Sequence, residues 1–491
     1  MISFSICLLL LVLGYVIYGR YVEKVFGMDP DRITPAYARQ DGVDFLPMRG
    51  WRVFLIQFLN IAGLGPIFGA IMGAKFGALA YVWIVVGCIF AGAVHDYLSG
   101  MLSLRNDGMS FPEIVGKIMG KGFMQATRIF TPFMLILVGA VFVAGPAGLL
   151  TTLTTGFLPE PAGTYGTMAG RSVGQWCFFA WVAVIFCYYV LATVLPVDRI
   201  IGRIYPLFAA ALLFMAIGIF VSLYIHLPAI PEITDGLANT HPDAETTPLF
   251  PMLFITIACG ALSGFHATQS PMMARCMKNE RQGRAVFYGA MIAEGVMALI
   301  WAAAANYAFH TLDGQTFLRE TNAVVVVDFI TKNWLGTVGA VVAILGVVVA
   351  PITSGDTAFR SARLIVADAF RIDQRPLMKR LLVSAPLFAG GFLLMLIDFS
   401  VIWRYFAWFN QTLGALALWT VTVYLAREKK NYWIALIPSC FMTAVITSYV
   451  FVAPEVLGLS AVVSNLLATG MMVFCLVCFF VWKVRFFRFS R

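Results

Sequence analysis

Charge is what this sequence has least of. Only 12% of its 491 residues are charged, 60% are hydrophobic, and the mean hydropathy is +0.85. A soluble protein of this size cannot hide so much apolar surface, so the composition indicates a polytopic membrane protein. Histidine is the rarest single residue type, at five residues. The nine cysteines fall mostly inside apolar runs, as Cys88, Cys187 and Cys475 do, which excludes a disulfide framework. Cys475 and Cys478 have thiol-motif spacing but share one apolar run, so they read as packing residues. No loop is long enough for a soluble domain, which argues against a sensor with an output module. Met1–Gly19 lacks a basic leader and a small-residue cleavage site, so it reads as a retained helix.

Against that scarcity stand apolar runs of about 20 residues, each ended by charge, proline or glycine. They lie near 3–19, 53–74, 80–101, 129–152, 176–195, 204–226, 250–268, 286–308, 336–355, 381–400, 405–425, 432–452 and 460–482, which gives about thirteen expected transmembrane helices. Lysine and arginine concentrate in cytoplasmic loops. With the N-terminus outside, all of the 34 cations except Lys75, Arg171, Arg319, Lys332 and Arg404 fall in alternate, cytoplasmic loops, and none falls in a span. The acidic loop holding Glu232, Asp235, Asp243 and Glu245 has no cation and belongs outside. The net charge of +9 therefore reports topology and not a nucleic-acid partner.

Two of the runs are interrupted. Cys259–Pro271 carries Gly260, Ser263, Gly264, His266 and Gln269 where hydrocarbon favours leucine, and an earlier run carries Gly63, Gly65, Pro66 and Gly69. Glycine and proline weaken a helix. Non-helical backbone at membrane depth survives only when it is buried in protein or lines a cavity. Spans two to six start inside with the first break, and spans seven to eleven start outside with the second. Five is odd, so the two units are inverted, and paired breaks in inverted units mark the binding site of a secondary transporter. The expected division is residues 1–50, an extra helix and loop; 51–227 and 249–426, the two repeats; and 431–491, two further helices and a basic cytoplasmic tail.

Ionisable groups inside spans need a reason, since each costs about 2.5–3.5 kcal/mol or more at mid-membrane. Glu294 is the deepest and is a proton-carrier candidate, against the plainer reading of a neutral Glu bonding a neighbouring helix. His95 and Asp96, read as near the cytoplasmic end of their span, form either a relay or a pair steadying a helix end. His266 lies in the broken helix itself, while His226, His241 and His310 fall at span ends or in loops. Ala350, Pro351, Thr353, Ser354 and Asp356 close the ninth span, and their carbonyl and hydroxyl oxygens suit a hard cation such as sodium. A Pro-kinked helix ending in polar residues would show the same pattern. Trp403, Tyr405 and Trp408 read as an interfacial belt, with Asn410 and Gln411 beside them.

Gly65-Pro66-Ile67, Gly92–Tyr97, Ser263–Ala267, Asp356–Ala358 with Arg360, and Asn410-Gln411, in this order and spacing, resemble the carbon starvation protein A (CstA) family of bacterial inner-membrane transporters. The resemblance runs from about residue 50 to 425 and implies a LeuT-like five-plus-five inverted repeat of the amino acid–polyamine–organocation superfamily. It implies uptake of pyruvate or small peptides driven by an ion gradient. The spacing of Ala350, Thr353 and Ser354 also resembles the second sodium site of sodium-coupled members of that fold. The expectation is a secondary transporter, not an enzyme, in which Gly63, Gly65, Pro66, Gly69, Gly260, Ser263, Gly264, His266 and Gln269 hold a carboxylate-bearing solute. Half-helix N–H groups would do so, as no span offers a cation. Glu294, with His95 and Asp96, would carry protons, or Ala350, Thr353 and Ser354 would hold sodium; no other cofactor is expected. A divalent-metal transporter on the same fold is a rival, although such proteins carry Asp-Pro-Gly-Asn at the first break. A membrane-embedded enzyme or sensor is the other; His95, Asp96 and His266 lack the further ligands or nucleophile such chemistry requires.

Overall fold

The structure, a computed structural model, describes all residues except 43, 157–166, 169–170, 195–196, 311–321, 375 and 490–491. The expected loop cations Arg319, Arg375 and Arg491 lie outside the described residues, as do the side chains of Arg171, Arg199, Arg203 and His310.

The chain is built of helices: α1 (Ile2–Phe26), α2 (Gly50–Ile61), α3 (Gly65–Ala74), α4 (Leu79–Arg105), α5 (Lys121–Gly156), α6 (Val173–Val194), α7 (Val197–His226), α8 (Leu249–Thr256), α9 (His266–Ala274), α10 (Glu280–Phe309), α11 (Ala323–Phe370), α12 (Leu377–Leu394), α13 (Phe399–Arg427), α14 (Trp433–Val452) and α15 (Ala461–Phe489). A two-residue strand pair, Thr167–Met168 with Arg171–Ser172, is the exception among the described residues. Among the described residues ten helices are long and apolar enough to cross a membrane, and α2 with α3, bent by 55°, makes up to eleven. The expected run at 250–268 is divided between α8 and α9, neither long enough alone. The run at 405–425 lies inside α13. The long α11 is two helices joined at Gly336, whose φ of +65° only glycine adopts without strain.

Packing sorts these helices into two groups. In one, α4 lies against α9 and the start of α10, while α10 packs along α2 and α3. In the other, α5 lies along α11 and also contacts α6 and α12, and α11 contacts α12. The groups meet where α2 and α9 touch α11. Helix α1 packs on α4 and α10, beside the first group.

The two ends of the bundle differ in charge. At one end Arg105 makes paired bonds to Glu280, 3.0 Å from Nε to Oε1 and 2.9 Å from Nη2 to Oε2, and Arg32 adds a 3.4 Å contact. Arg39 pairs with Asp107, two residues past the end of α4, and Arg128, two turns into α5, pairs with Glu113. At the other end Met1 and Ser3 bond Glu232, and Arg404 bonds Glu455 at 3.0 Å.

Candidate functional site

Both interrupted runs are broken helices, and local chemistry explains where. Pro66 has no N–H to return to Ala62, and Gly63 N–H bonds Ile61 O at 2.7 Å. The carbonyl of Leu59, which Gly63 would bond in a continuous helix, is thereby released. Ser354 Oγ donates to it at 3.2 Å, and Thr353 Oγ1 reaches it at 3.5 Å. The same hydroxyl oxygens lie 3.0 and 2.7 Å from Ala350 O, so each shares its one proton between the two carbonyls. Leu59 O, Ala350 O, Thr353 Oγ1 and Ser354 Oγ thus form a compact oxygen cluster between α2 and α11. Hydroxyl and carbonyl oxygens are the donors a hard monovalent cation takes, so this set fits sodium.

The second break, residues 257–265, is tied to its neighbours. Trp83 Nε1 donates to Ile257 O at 3.0 Å. Asn410 Oδ1 accepts from Phe265 N–H at 2.8 Å and from Ser263 Oγ at 3.1 Å, and Asn410 O accepts from Gly264 N–H at 3.2 Å. The N–H groups at the start of α9 expected to face a solute therefore carry Asn410 in this arrangement. Gly264 fits because a Cβ there would lie 2.3 Å from Asn410 O and Gly414 N.

The breaks face each other at contact distance. A Cβ on Gly65 would sit 2.3 Å from Cys259 Sγ, and one on Gly69 would sit 2.9 Å from Thr256 O. Gly260 backs onto Ala298 and Pro66, and Gly63 onto Phe142 and Ser354. Gln269 turns toward α11, its amide nitrogen 3.1 Å from Thr268 Oγ1 and 3.4 Å from Ser361 Oγ.

The four ionisable residues singled out from three separate runs converge. His95 Nδ1 lies 2.7 Å from Asp96 Oδ1, and His266 Nδ1 lies 2.8 Å from Asp96 Oδ2. His266 Nε2 lies 3.4 Å from Glu294 Oε2. All four side chains are fully buried. With Asp96 ionised, it only accepts, and each imidazole donates an Nδ1–H to it. His266 Nε2 then faces Glu294 either as a lone pair or as an N–H, and the pair can share one proton. Among the described residues, neither Glu294 oxygen has a hydrogen-bond partner, nor has His95 Nε2 or His266 Nε2. The His95–Asp96 pair lies deeper than the sequence suggested. The helix runs on to Arg105, about 13 Å further at 1.5 Å per residue, and Ala93–Leu104 are all buried. It is joined to α9 in the interior, not spent steadying a helix end.

Two further residues belong to this neighbourhood, Asn410, read beside the aromatic belt, and Gln57, which the sequence reading did not single out. Asn410 closes the second break. Gln57, one turn before the first, is fully buried, and neither of its amide atoms has a partner among the described residues. A buried amide just ahead of a Gly/Pro interruption was the available signal.

Above the breaks, toward the Arg404 end, lies a cleft of about 490 Å³. Aromatic rings separate it from His266. Phe68 meets Trp403 at 6.0 Å between centroids, Trp403 meets Phe406 at 5.5 Å, Phe406 meets Phe142 at 6.0 Å and Phe142 meets Phe265 at 5.9 Å.

A multi-helix membrane protein with two apposed helix breaks and a buried His–Asp–His–Glu chain is the class these features define. The family profile described as carbon starvation protein CstA matches residues 1–159, 171–331 and 304–449, so the chain belongs to that family. It is 45% identical over 331 residues to an uncharacterised membrane protein of Haemophilus influenzae, covering 61% of this chain and 89% of that one. It is 32% identical over 335 residues to a peptide transporter CstA of Campylobacter jejuni, covering 59% and 47%. It is 29% identical over 343 residues to the pyruvate/proton symporter BtsT of Escherichia coli, covering 60% and 47%. The last two matches span about half the length of those relatives.

Proposed function

We propose that this protein is a secondary transporter. It imports a small carboxylate-bearing solute, pyruvate or a short peptide, across the bacterial inner membrane in symport with protons. The observation that carries the reading is His266, which bridges Asp96 on α4 and Glu294 on α10 from the first residue of a half-helix. Asp96 is the fixed anion. The mobile proton sits between His266 Nε2 and Glu294. A shift of α9 that opens the break moves His266 relative to both carboxyl groups, so proton release and solute release become one motion. The names of the Campylobacter and Escherichia relatives support both solute classes, and that of the second supports the proton.

The fold reading is a five-plus-five inverted repeat, α2–α7 and α8–α13, with α1, α14 and α15 outside it. Its support is that each unit opens on a broken helix, and that helices of matching place pack together: the first two of each unit in one group, the third and fourth in the other. The Arg105 end is assigned to the cytoplasm and the Met1 end to the outside, because the cations gather at the former.

A second reading keeps the fold and replaces the proton by sodium. The cluster formed by Leu59 O, Ala350 O, Thr353 Oγ1 and Ser354 Oγ favours it. The deciding experiment is uptake of labelled pyruvate and dipeptides into proteoliposomes under imposed proton and sodium gradients in turn. Accumulation that follows the pH gradient and ignores sodium supports the first reading. Accumulation that follows sodium alone supports the second, and no accumulation of either solute sinks the transporter reading.

A further inference from the structure

The cleft at the Arg404 end is lined by Arg404 and by two carboxylates, Glu455 and Asp243, and the first two are already in contact. Arg404 Nε lies 3.0 Å from Glu455 Oε1, and Tyr449 donates its hydroxyl to the same oxygen at 3.0 Å. Arg404 comes from α13, and Glu455 comes from the loop after α14, outside the proposed repeats. The apolar walls are Phe68 and Met72 from the half-helix after the first break, Met252 from the half-helix before the second, and Trp403. Asp243, Thr246, Thr247 and Asn322 add polar groups to the lining, so the cleft combines apolar walls with a few polar groups, as a small-molecule site does.

From this we propose that the cleft is a recognition site for a zwitterion with an apolar side chain, an amino acid or short peptide with free ends. The solute carboxylate takes the place of Glu455 on Arg404, and its ammonium takes the place of Arg404 on Glu455. A solute with both charges leaves neither residue unpaired. A simple carboxylate such as pyruvate releases Glu455 without a cation, and an uncompensated carboxylate is a penalty the site imposes on that class. Size points the same way, since about 490 Å³ far exceeds what a three-carbon acid fills. The apolar side chain rests on Phe68 and Trp403, the rings that roof the breaks. The inference deepens the transporter reading by choosing between its two solute classes, and it gives the loop after α14 a part in selectivity.

The test is binding to the detergent-solubilised full chain, measured by calorimetry. The probes are alanyl-phenylalanine, its N-acetyl form, its C-terminal amide, and pyruvate. The free dipeptide is expected to bind about ten-fold or more tightly than either blocked form or pyruvate, the loss of one charged hydrogen bond. Glu455→Gln is expected to abolish the preference for a free amino end alone. Arg404→Gln is expected to abolish the preference for a free carboxyl end alone. Both residues are solvent-accessible, and an unchanged size-exclusion profile checks folding. Equal affinity for free and blocked dipeptides, pyruvate binding as tightly as the dipeptide, no dipeptide binding, or variants that keep both preferences would each overturn the proposal. Binding does not require transport. Intact end-selective binding without uptake would sink the transporter reading alone, and uptake with end-blind binding would sink this site alone.

Discussion

Asn410 Oδ1 accepts the backbone N–H of Phe265 at 2.8 Å, and by this contact α13 holds open the break ahead of α9. The same residue takes Ser263 Oγ through its side chain and Gly264 N–H through its carbonyl. In lipid the alternative to such partners is an unsatisfied donor or a continuous helix. Asn410→Ala removes the acceptor for two of these groups and leaves a buried N–H without a partner. The expected loss is about 1–3 kcal/mol of stability, seen as a lower melting temperature in detergent. Gln411→Ala is the comparison, because Gln411 makes one longer bond, 3.3 Å to Phe254 O. If both variants melt alike, Asn410 is not what holds the break.

Protonic coupling gives a sharper test at Glu294 than loss of activity. Glu294→Gln keeps the shape of the side chain and the bulk of the buried site but cannot gain or lose a proton. Accumulation driven by a pH gradient is expected to fall by about 5- to 150-fold, the usual size of a coupling between sites. Exchange of labelled for unlabelled solute at equal pH on both sides is expected to persist and to lose its pH dependence. A variant that still accumulates solute against its gradient under an imposed pH difference would remove Glu294 from the coupling path.

The helix pattern and both breaks were legible because apolar runs, glycine and proline are read one residue after another. Convergence was not. His95 and Asp96, His266 and Glu294 stand in three different runs, and nothing in linear order says which face of each helix points inward. The signal was only that each is ionisable and lies within an apolar stretch. The distance of His95–Asp96 from the helix end was misjudged because the expected run stops at residue 101, whereas the helix continues through Leu102, Ser103 and Leu104 to Arg105. The role of Asn410 was hidden by its aromatic neighbours Trp403, Tyr405 and Trp408, which read first as a belt. A half-helix's N–H groups attract a carboxylate in principle, but here Asn410 takes that of Phe265 with its side chain and that of Gly264 with its carbonyl.

The contact between the breaks is tight enough to be tested by compensation. A methyl on Gly65 would overlap Cys259 Cβ and Sγ, at 2.2 and 2.3 Å. Gly65→Ala is expected to destabilise by about 1–3 kcal/mol through overpacking. Cys259→Gly removes the overlapping atoms, so the double variant is expected to recover part of that loss. A double-variant cycle on melting temperatures reads the interaction, and strict additivity would mean that the two breaks do not touch.

At the opposite side of the molecule, the Glu232 carboxylate closes the start of α1. It accepts from Ile2 N–H at 3.0 Å and Ser3 N–H at 2.6 Å, and it pairs with the Met1 ammonium. Partial burial alone would raise its pKa, but these bonds outweigh it and hold the carboxyl at about 2, below its usual 4.5. A lowered pKa means stabilisation that is complete above about pH 4.5 and fades as the pH falls toward 2. Glu232→Gln is therefore expected to be less stable by about 1 kcal/mol at neutral pH. The gap from the unaltered protein is expected to narrow between pH 4.5 and pH 3 in detergent melts. A gap that does not change with pH would mean that the charge of Glu232 contributes nothing.

The oxygen cluster at Leu59 separates two roles for the same hydroxyls. If Ser354 and Thr353 only satisfy the carbonyl released by the first break, Ser354→Ala leaves Leu59 O with the 3.5 Å contact of Thr353 and lowers stability by about 1–3 kcal/mol. That loss is expected whatever cations the buffer contains. If the cluster holds sodium, the unaltered protein melts higher in sodium chloride than in choline chloride, because an ion that binds only the folded state stabilises it by mass action. Thr353→Val with Ser354→Ala then abolishes that difference and the sodium dependence of uptake together. The proton reading expects equal melting temperatures in the two salts and uptake that tracks pH alone. A sodium-dependent rise in melting temperature that disappears in the double variant would transfer the coupling from His266 and Glu294 to this cluster.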